Sequence, residues 1–169
     1  MSIMGMKMSN YYFSWFIRYF AVYLVLHLIS AAIVSGQLKN VPFYIPFIVF
    51  ILFDVVLIIQ NFFIQVFLTR AKIGVVISLL FFIVQYILSF ISTNSDNPTL
   101  GVNVGISIIP HAAFIIAFQT MLYAESNQLT ASFGTTMNNY VISVALASFI
   151  LNIIFYLLLT WYLDQVVPN

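Results

Sequence analysis

PFIVFILFDVVLIIQNFFIQVFL (Pro46 to Leu68), TRAK (Thr69 to Lys72) and IGVVISLLFFIVQYILSFIS (Ile73 to Ser92) follow one another without a break. Each apolar run reaches the roughly 20 residues that a helix needs to cross a bilayer core. Hydrocarbon offers the backbone no hydrogen-bond partner, so a span must be a helix or part of a closed barrel, and neither run alternates as a barrel strand does. The stretch therefore reads as a transmembrane helical hairpin. Its turn holds Arg70 and Lys72, two of the chain's five basic residues, and Lys or Arg close to span ends favours the cytoplasmic side.

Composition agrees. The 169 residues are 63% hydrophobic and 5% charged, where soluble proteins carry about 25% charged residues. A net charge of +1 gives no basic field for nucleic acid. The absence of cysteine excludes a disulfide framework, thiolate metal ligands and a thiol nucleophile. Eighteen Phe and ten Tyr suit lipid-facing surface and membrane interfaces.

Working outward, the first long apolar run extends from about Tyr12 to Ser35, too long for a cleaved signal, and ends in Gly36, Lys39, Asn40 and Pro42. Residues 1–11 are expected to be cytoplasmic. Their Met cluster offers soft ligands of the kind copper takes, but reads as apolar packing in an interfacial helix. Beyond the hairpin, TNSDNPTL (93–100) is a polar external loop. The stretch from about 102 to 124 is apolar but broken by Pro110 and His111. It reads either as a full span or as a re-entrant helical hairpin in the outer leaflet. The second is favoured, because a full span would put the C-terminus outside and residues 126–139 are too polar to be anything but loop. A last span runs from about Tyr140 to Leu163, closing at the interface with Trp161 and Tyr162. The expected fold is all-α, one polytopic membrane domain with spans at about 12–35, 46–68, 73–92 and 140–163.

Ionisable residues inside spans are functional hypotheses by default. Arg18 lies close enough to the inner end to snorkel. Asp54, Asn61 and Gln65 fall on one helical stripe that is expected to face protein or water. With the first two spans centred near Leu24 and Leu57, His27 and Asp54 share a level about 4–5 Å outward of mid-membrane, and Gln85 lies close to it. A buried polar layer of His27, Asp54 and Gln85 is therefore expected, with packing register preferred over a proton relay or substrate site. Ser143, Ala147, Ser148 and Asn152 are expected to form a small-residue face on the last span.

Catalytic signatures are missing: no G-x-x-x-x-G-K-[ST] loop, no H-E-x-x-H pair and no G-x-S-x-G elbow. His111 and Glu125 read as interfacial polar residues rather than an acid/base couple. The chain is not expected to be an enzyme, and no catalytic, cofactor-binding or metal residue is assigned.

Three separated strings resemble one family. Met4-Gly5-Met6-Lys7-Met8-Ser9, followed by Ser14-Trp15-Phe16-Ile17, resembles the segment that joins the second and third spans in ABC transporters of subfamily A. Thr69-Arg70-Ala71-Lys72 is similar to that family's [ST]-[KR]-A-K between the fourth and fifth spans. Trp161-Tyr162-Leu163-Asp164 through Pro168 is similar to its W-Y-L-D-x-V-x-P after the sixth. The resemblance covers nearly the whole chain, but only the last four of six spans in one half-transporter. It implies an ABC-2 type transmembrane domain, with Met4, Gly5, Met6 and Lys7 in a cytoplasmic coupling helix that touches a nucleotide-binding domain. It also implies that Ile108 to Phe114 and Glu125-Ser126 lie in two short external helices before the final span.

The function implied is the membrane part of an ATP-driven lipid exporter or flippase, in the plasma membrane or an endomembrane. ATP would be bound on a missing or partner domain. Membrane lipid, a nucleotide-binding domain and the remaining transmembrane half, in cis or in trans, would be its partners. The rival class is a stand-alone four-span assembly or packing partner without transport activity. A truncated gene product would share the first reading's fold and none of its activity.

Overall fold

The computed structural model describes residues 2–3, 6–66, 71–93, 100–137 and 140–166. The protein is an all-α polytopic bundle. A strand pair, β1 (Ser2–Ile3) and β2 (Met6–Lys7), precedes α1 (Met8–Gln37), α2 (Tyr44–Val66) and α3 (Ala71–Thr93). Two shorter helices follow, α4 (Leu100–Ile106) and α5 (Pro110–Ser126), then β3 (Thr136–Met137), β4 (Tyr140–Val141) and α6 (Ile142–Val166).

Helix ends fall where the sequence removes donors or supplies turns. Pro46 occupies the first turn of α2, where its missing N–H costs nothing. Pro110 opens α5 for the same reason, with Ile109 extended before it. The end of α5 is closed by Leu129 N–H donating to the Ala124 carbonyl (2.8 Å) and Gln128 N–H to that of Glu125 (3.0 Å). This paired closure needs a left-handed residue, and Gln128 supplies it at φ 56°.

Among the described residues, three helices are long and apolar enough to cross a membrane: Asn10–Gln37, Tyr44–Val66 and Ile142–Val166. The 23 residues of α3 contain a shorter apolar stretch, Gly74–Ser89. At 1.5 Å per residue, 23 residues span about 35 Å, enough for the hydrocarbon core. Exposed side chains support the assignment. Phe13, Ile17, Val22, Val25, Leu26, Ile29 and Ile33 lie on the open surface of α1, and Val75, Leu79 and Leu80 on that of α3. In water such a surface would be an aggregation hazard, whereas in lipid it is the ordinary exterior. The chain is an integral, multi-pass membrane protein.

The centre of the bundle is α2, which packs against α1, α3, α5 and α6. Its Val49, Val56 and Ile59 meet Ala113, Ile116, Ala117 and Met121 of α5 and Ala145, Phe149 and Tyr156 of α6 in one buried cluster. Small residues on α5 and α6 let the backbones approach closely, which is how helices associate where lipid supplies no hydrophobic drive. The buried face of α6 carries Ala145, Ser148, Phe149, Asn152 and Tyr156. Of the four residues expected on it, Ser148 and Asn152 are buried but Ser143 and Ala147 are exposed. The face is turned towards the large side chains of α2, so the stripe is mixed rather than uniformly small.

The two ends of the bundle are distinct. At one, the Tyr12 ring of α1 packs at a tilt against Phe62 of α2 (5.3 Å between ring centroids) and its hydroxyl hydrogen-bonds Asp164 of α6; Lys72 lies in the first turn of α3 here. At the other, Ala131 N–H donates to the Asn40 carbonyl (2.8 Å) and Tyr44 meets Phe133. We call these the basic end and the loop end.

Candidate functional site

Two polar pairs lie at one depth. His27 is ten residues from the end of α1 and Asp54 ten from the start of α2, so each is about 15 Å below the loop end. The His27 Nε2 hydrogen-bonds the Asp54 carboxylate, with 19% and 9% of the two side chains exposed. Gln85, eight residues from the end of α3, lies about 12 Å down. Its Oε1 is 2.6 Å from His111 Nδ1, which on that geometry carries the hydrogen and donates. The Gln85 amide also faces the Tyr156 hydroxyl of α6.

The expected single layer is therefore divided. His27 and Asp54 come together, but Gln85 joins His111 on another flank of α2. Aromatic rings separate the pairs: Phe50 touches His27 (5.5 Å) and Phe114 (5.7 Å), while Phe53 stacks on Phe114 (4.4 Å) and meets His111 edge-on (5.3 Å). Phe82 of α3 closes the far side of His111 at 4.3 Å. These rings keep the two pairs from joining into one network. Each histidine uses one nitrogen, and His27 Nδ1 and His111 Nε2 are buried without a hydrogen-bond partner.

His111 reaches this depth from the start of α5, while Glu125, near the end of α5, stays at the loop end and accepts a hydrogen bond from Asn40 N–H (2.7 Å). Thus α5 descends roughly halfway through the bilayer and its other end is tied to the α1–α2 loop, as a re-entrant element is. Both residues read in sequence as interfacial polar groups. Glu125 is one, but His111 is 4% exposed and belongs to the interior. Beside it, Ser107 shares a 2.6 Å hydrogen bond with Tyr140, fixing the α4–α5 turn to the foot of α6.

Below Asp54 the stripe opens on a cleft between α1, α2 and α3. Asp54 is buried, but Asn61 and Gln65 are exposed and line a cleft of about 860 Å³ with Tyr19, Tyr23 and Ser78. Asn61 satisfies itself by donating to the Leu57 carbonyl (2.9 Å), so it needs no partner on another helix. The buried amide on this part of α2 is Gln60, at 4% exposure. Of the coupling residues, Met4 and Gly5 lie outside the described residues. Met6 and Lys7 pair with Ile3 and Ser2 in a short antiparallel ladder rather than in the helix that the resemblance implies. Arg18 is exposed and sits 5.4 Å over the Trp15 ring, consistent with an interfacial cation.

Among the described residues, no group of three or more His, Cys, Asp or Glu side chains is placed to hold a metal ion. Chemically the site can hold helices in register and exchange a proton between His27 and Asp54. Comparison of the chain with protein-family models and with curated proteins returns no match.

Proposed function

We propose that the chain is the membrane-spanning part of an ATP-driven, ABC-type transporter that exports or flips lipid, with ATP hydrolysed on a domain that is not in this chain. The observation that carries the reading is the placement of the three family-like strings. The described parts of these strings are Met6 to Ser9 at the entry to α1, Ala71 and Lys72 at the start of α3, and Trp161 to Val166 at the end of α6. These described parts share the basic end, where in this reading a nucleotide-binding domain would dock. The pair of short helices before α6, broken at Pro110, fits the same pattern. In this reading Met4, Gly5, Met6 and Lys7 form the contact through which nucleotide-driven motion reaches α1, and the membrane is the plasma membrane or an endomembrane.

The test is to purify the native polypeptide with an antibody against residues 124–138, reconstitute it in vesicles and follow a fluorescent phospholipid between leaflets. ATP-dependent movement, abolished by a non-hydrolysable ATP analogue, is expected. Reconstituted protein with neither ATPase activity nor lipid movement would reject transport in favour of a stand-alone assembly partner.

A further inference from the structure

At the basic end, α1, α2 and α6 line a half-open cavity of about 310 Å³ whose walls include Tyr12, Ile59, Phe62, Leu157, Trp161 and Asp164. The walls are aromatic or aliphatic apart from the Asp164 carboxylate and its neighbours Thr160 and Gln165. Thr160 spends its hydroxyl hydrogen on the Tyr156 carbonyl (2.7 Å). The Tyr12 hydroxyl hydrogen-bonds the Asp164 carboxylate, whose Oδ1 is buried and has no hydrogen-bond partner among the described residues. A carboxylate oxygen removed from water without a donor is costly. Among the described residues no Lys or Arg lines this cavity.

The missing complement is a positive group that can donate hydrogen bonds and tolerate aromatic walls. An ammonium group meets both needs, because its charge is attracted to ring faces and to the carboxylate together. A primary ammonium has N–H donors for Asp164 Oδ1, and a quaternary one has none. The cavity lies where interfacial aromatics gather, beside Trp161 and Tyr162 on α6 and Tyr11 and Tyr12 on α1, which is headgroup depth. Ile59 and Leu157 continue its apolar wall towards the hydrocarbon. We propose that this cavity binds the primary-ammonium headgroup of a membrane lipid of the ethanolamine class, with Asp164 as acceptor and Tyr12, Phe62 and Trp161 as the aromatic walls. The site stands on the membrane assignment alone, and does not depend on ATP-driven transport.

Trp161 reports on the site directly. Replacing the other tryptophan, Trp15→Phe, leaves it as the single indole. The full chain is reconstituted in phosphatidylcholine vesicles with rising fractions of phosphatidylethanolamine or, separately, phosphatidylglycerol. A saturable change in Trp161 emission is expected with phosphatidylethanolamine and none with phosphatidylglycerol. Asp164→Asn should raise the half-saturating fraction at least about tenfold, since it removes a charge-assisted hydrogen bond. Phe62→Leu, which keeps the carboxylate, should weaken binding by less, and circular dichroism establishes that both variants keep their helices. Equal responses to the two lipids, or an Asp164→Asn response matching that of the parent, would overturn the proposal. A response to soluble ethanolamine with none to the lipid would overturn the headgroup assignment.

Discussion

Uncoupling His27 from Asp54 tests whether the mid-membrane pair holds α1 to α2. Asp54 is 7% exposed and His27 is only partly buried. His27→Phe keeps ring contacts with Tyr23 and Phe50 but strands a buried carboxyl, which costs about 2–3 kcal/mol. Asp54→Leu strands an imidazole that retains some access to its surroundings, for about 1 kcal/mol. The double variant replaces the pair by apolar side chains of similar volume and should lie close to the parent, because such replacements are often neutral. With the double variant near the parent, the two single costs together imply a coupling energy of about 3–4 kcal/mol, above the roughly 1.7 kcal/mol ceiling of an interhelical hydrogen bond in membranes because each single variant also leaves a buried polar group without a partner. The assay is a double-mutant cycle on the full chain in bicelles, with reversible unfolding followed for all four proteins. A coupling within about 0.3 kcal/mol of zero, the usual additivity error, would refute the pair as a register device.

Three further outcomes follow from single contacts. Glu125→Ala should free the α1–α2 loop and cost about 1 kcal/mol, with Glu125→Gln restoring most of it, since only an acceptor for Asn40 N–H is needed; hydrogen exchange at Asn40 reads both. Gln128→Gly should stabilise the end of α5 by about 0.5–1 kcal/mol, because the left-handed backbone there suits glycine, and a lower melting temperature would contradict it. Ala145→Leu should cost about 1–3 kcal/mol by overpacking the α2–α6 contact, where Ala145 is fully buried.

Much of the bundle is legible in the sequence because span length and polarity are coarse signals. The runs around Asp54 and Val76 announce α2 and α3, and the turn formers near Asn40 announce where α1 stops. Depth was equally readable, since 1.5 Å per residue puts His27, Asp54 and Gln85 at one level whatever the packing. Lateral placement was not. The partner of Gln85 is decided by α5, whose entry point depends on the break before Pro110, and no periodicity in α3 encodes that. The same holds for Asn61, Gln65, Ser143 and Ala147. Helical spacing groups residues on a face but does not say whether lipid, a cleft or a neighbour lies opposite. Asp164 escaped notice as a site residue because its partner wall comes from α1, some 150 residues earlier in the chain.

The central claim, that this bundle works as the membrane part of an ATP-driven transporter, is tested most directly by sizing the native polypeptide. Native membranes would be labelled with a photoreactive ATP analogue and blotted with antibody against residues 124–138. The account predicts an ATP-labelled band far above 19.2 kDa, or a band near that mass that carries an ATP-labelled partner with it through purification. A single band near 19.2 kDa with no ATP-binding companion would contradict it.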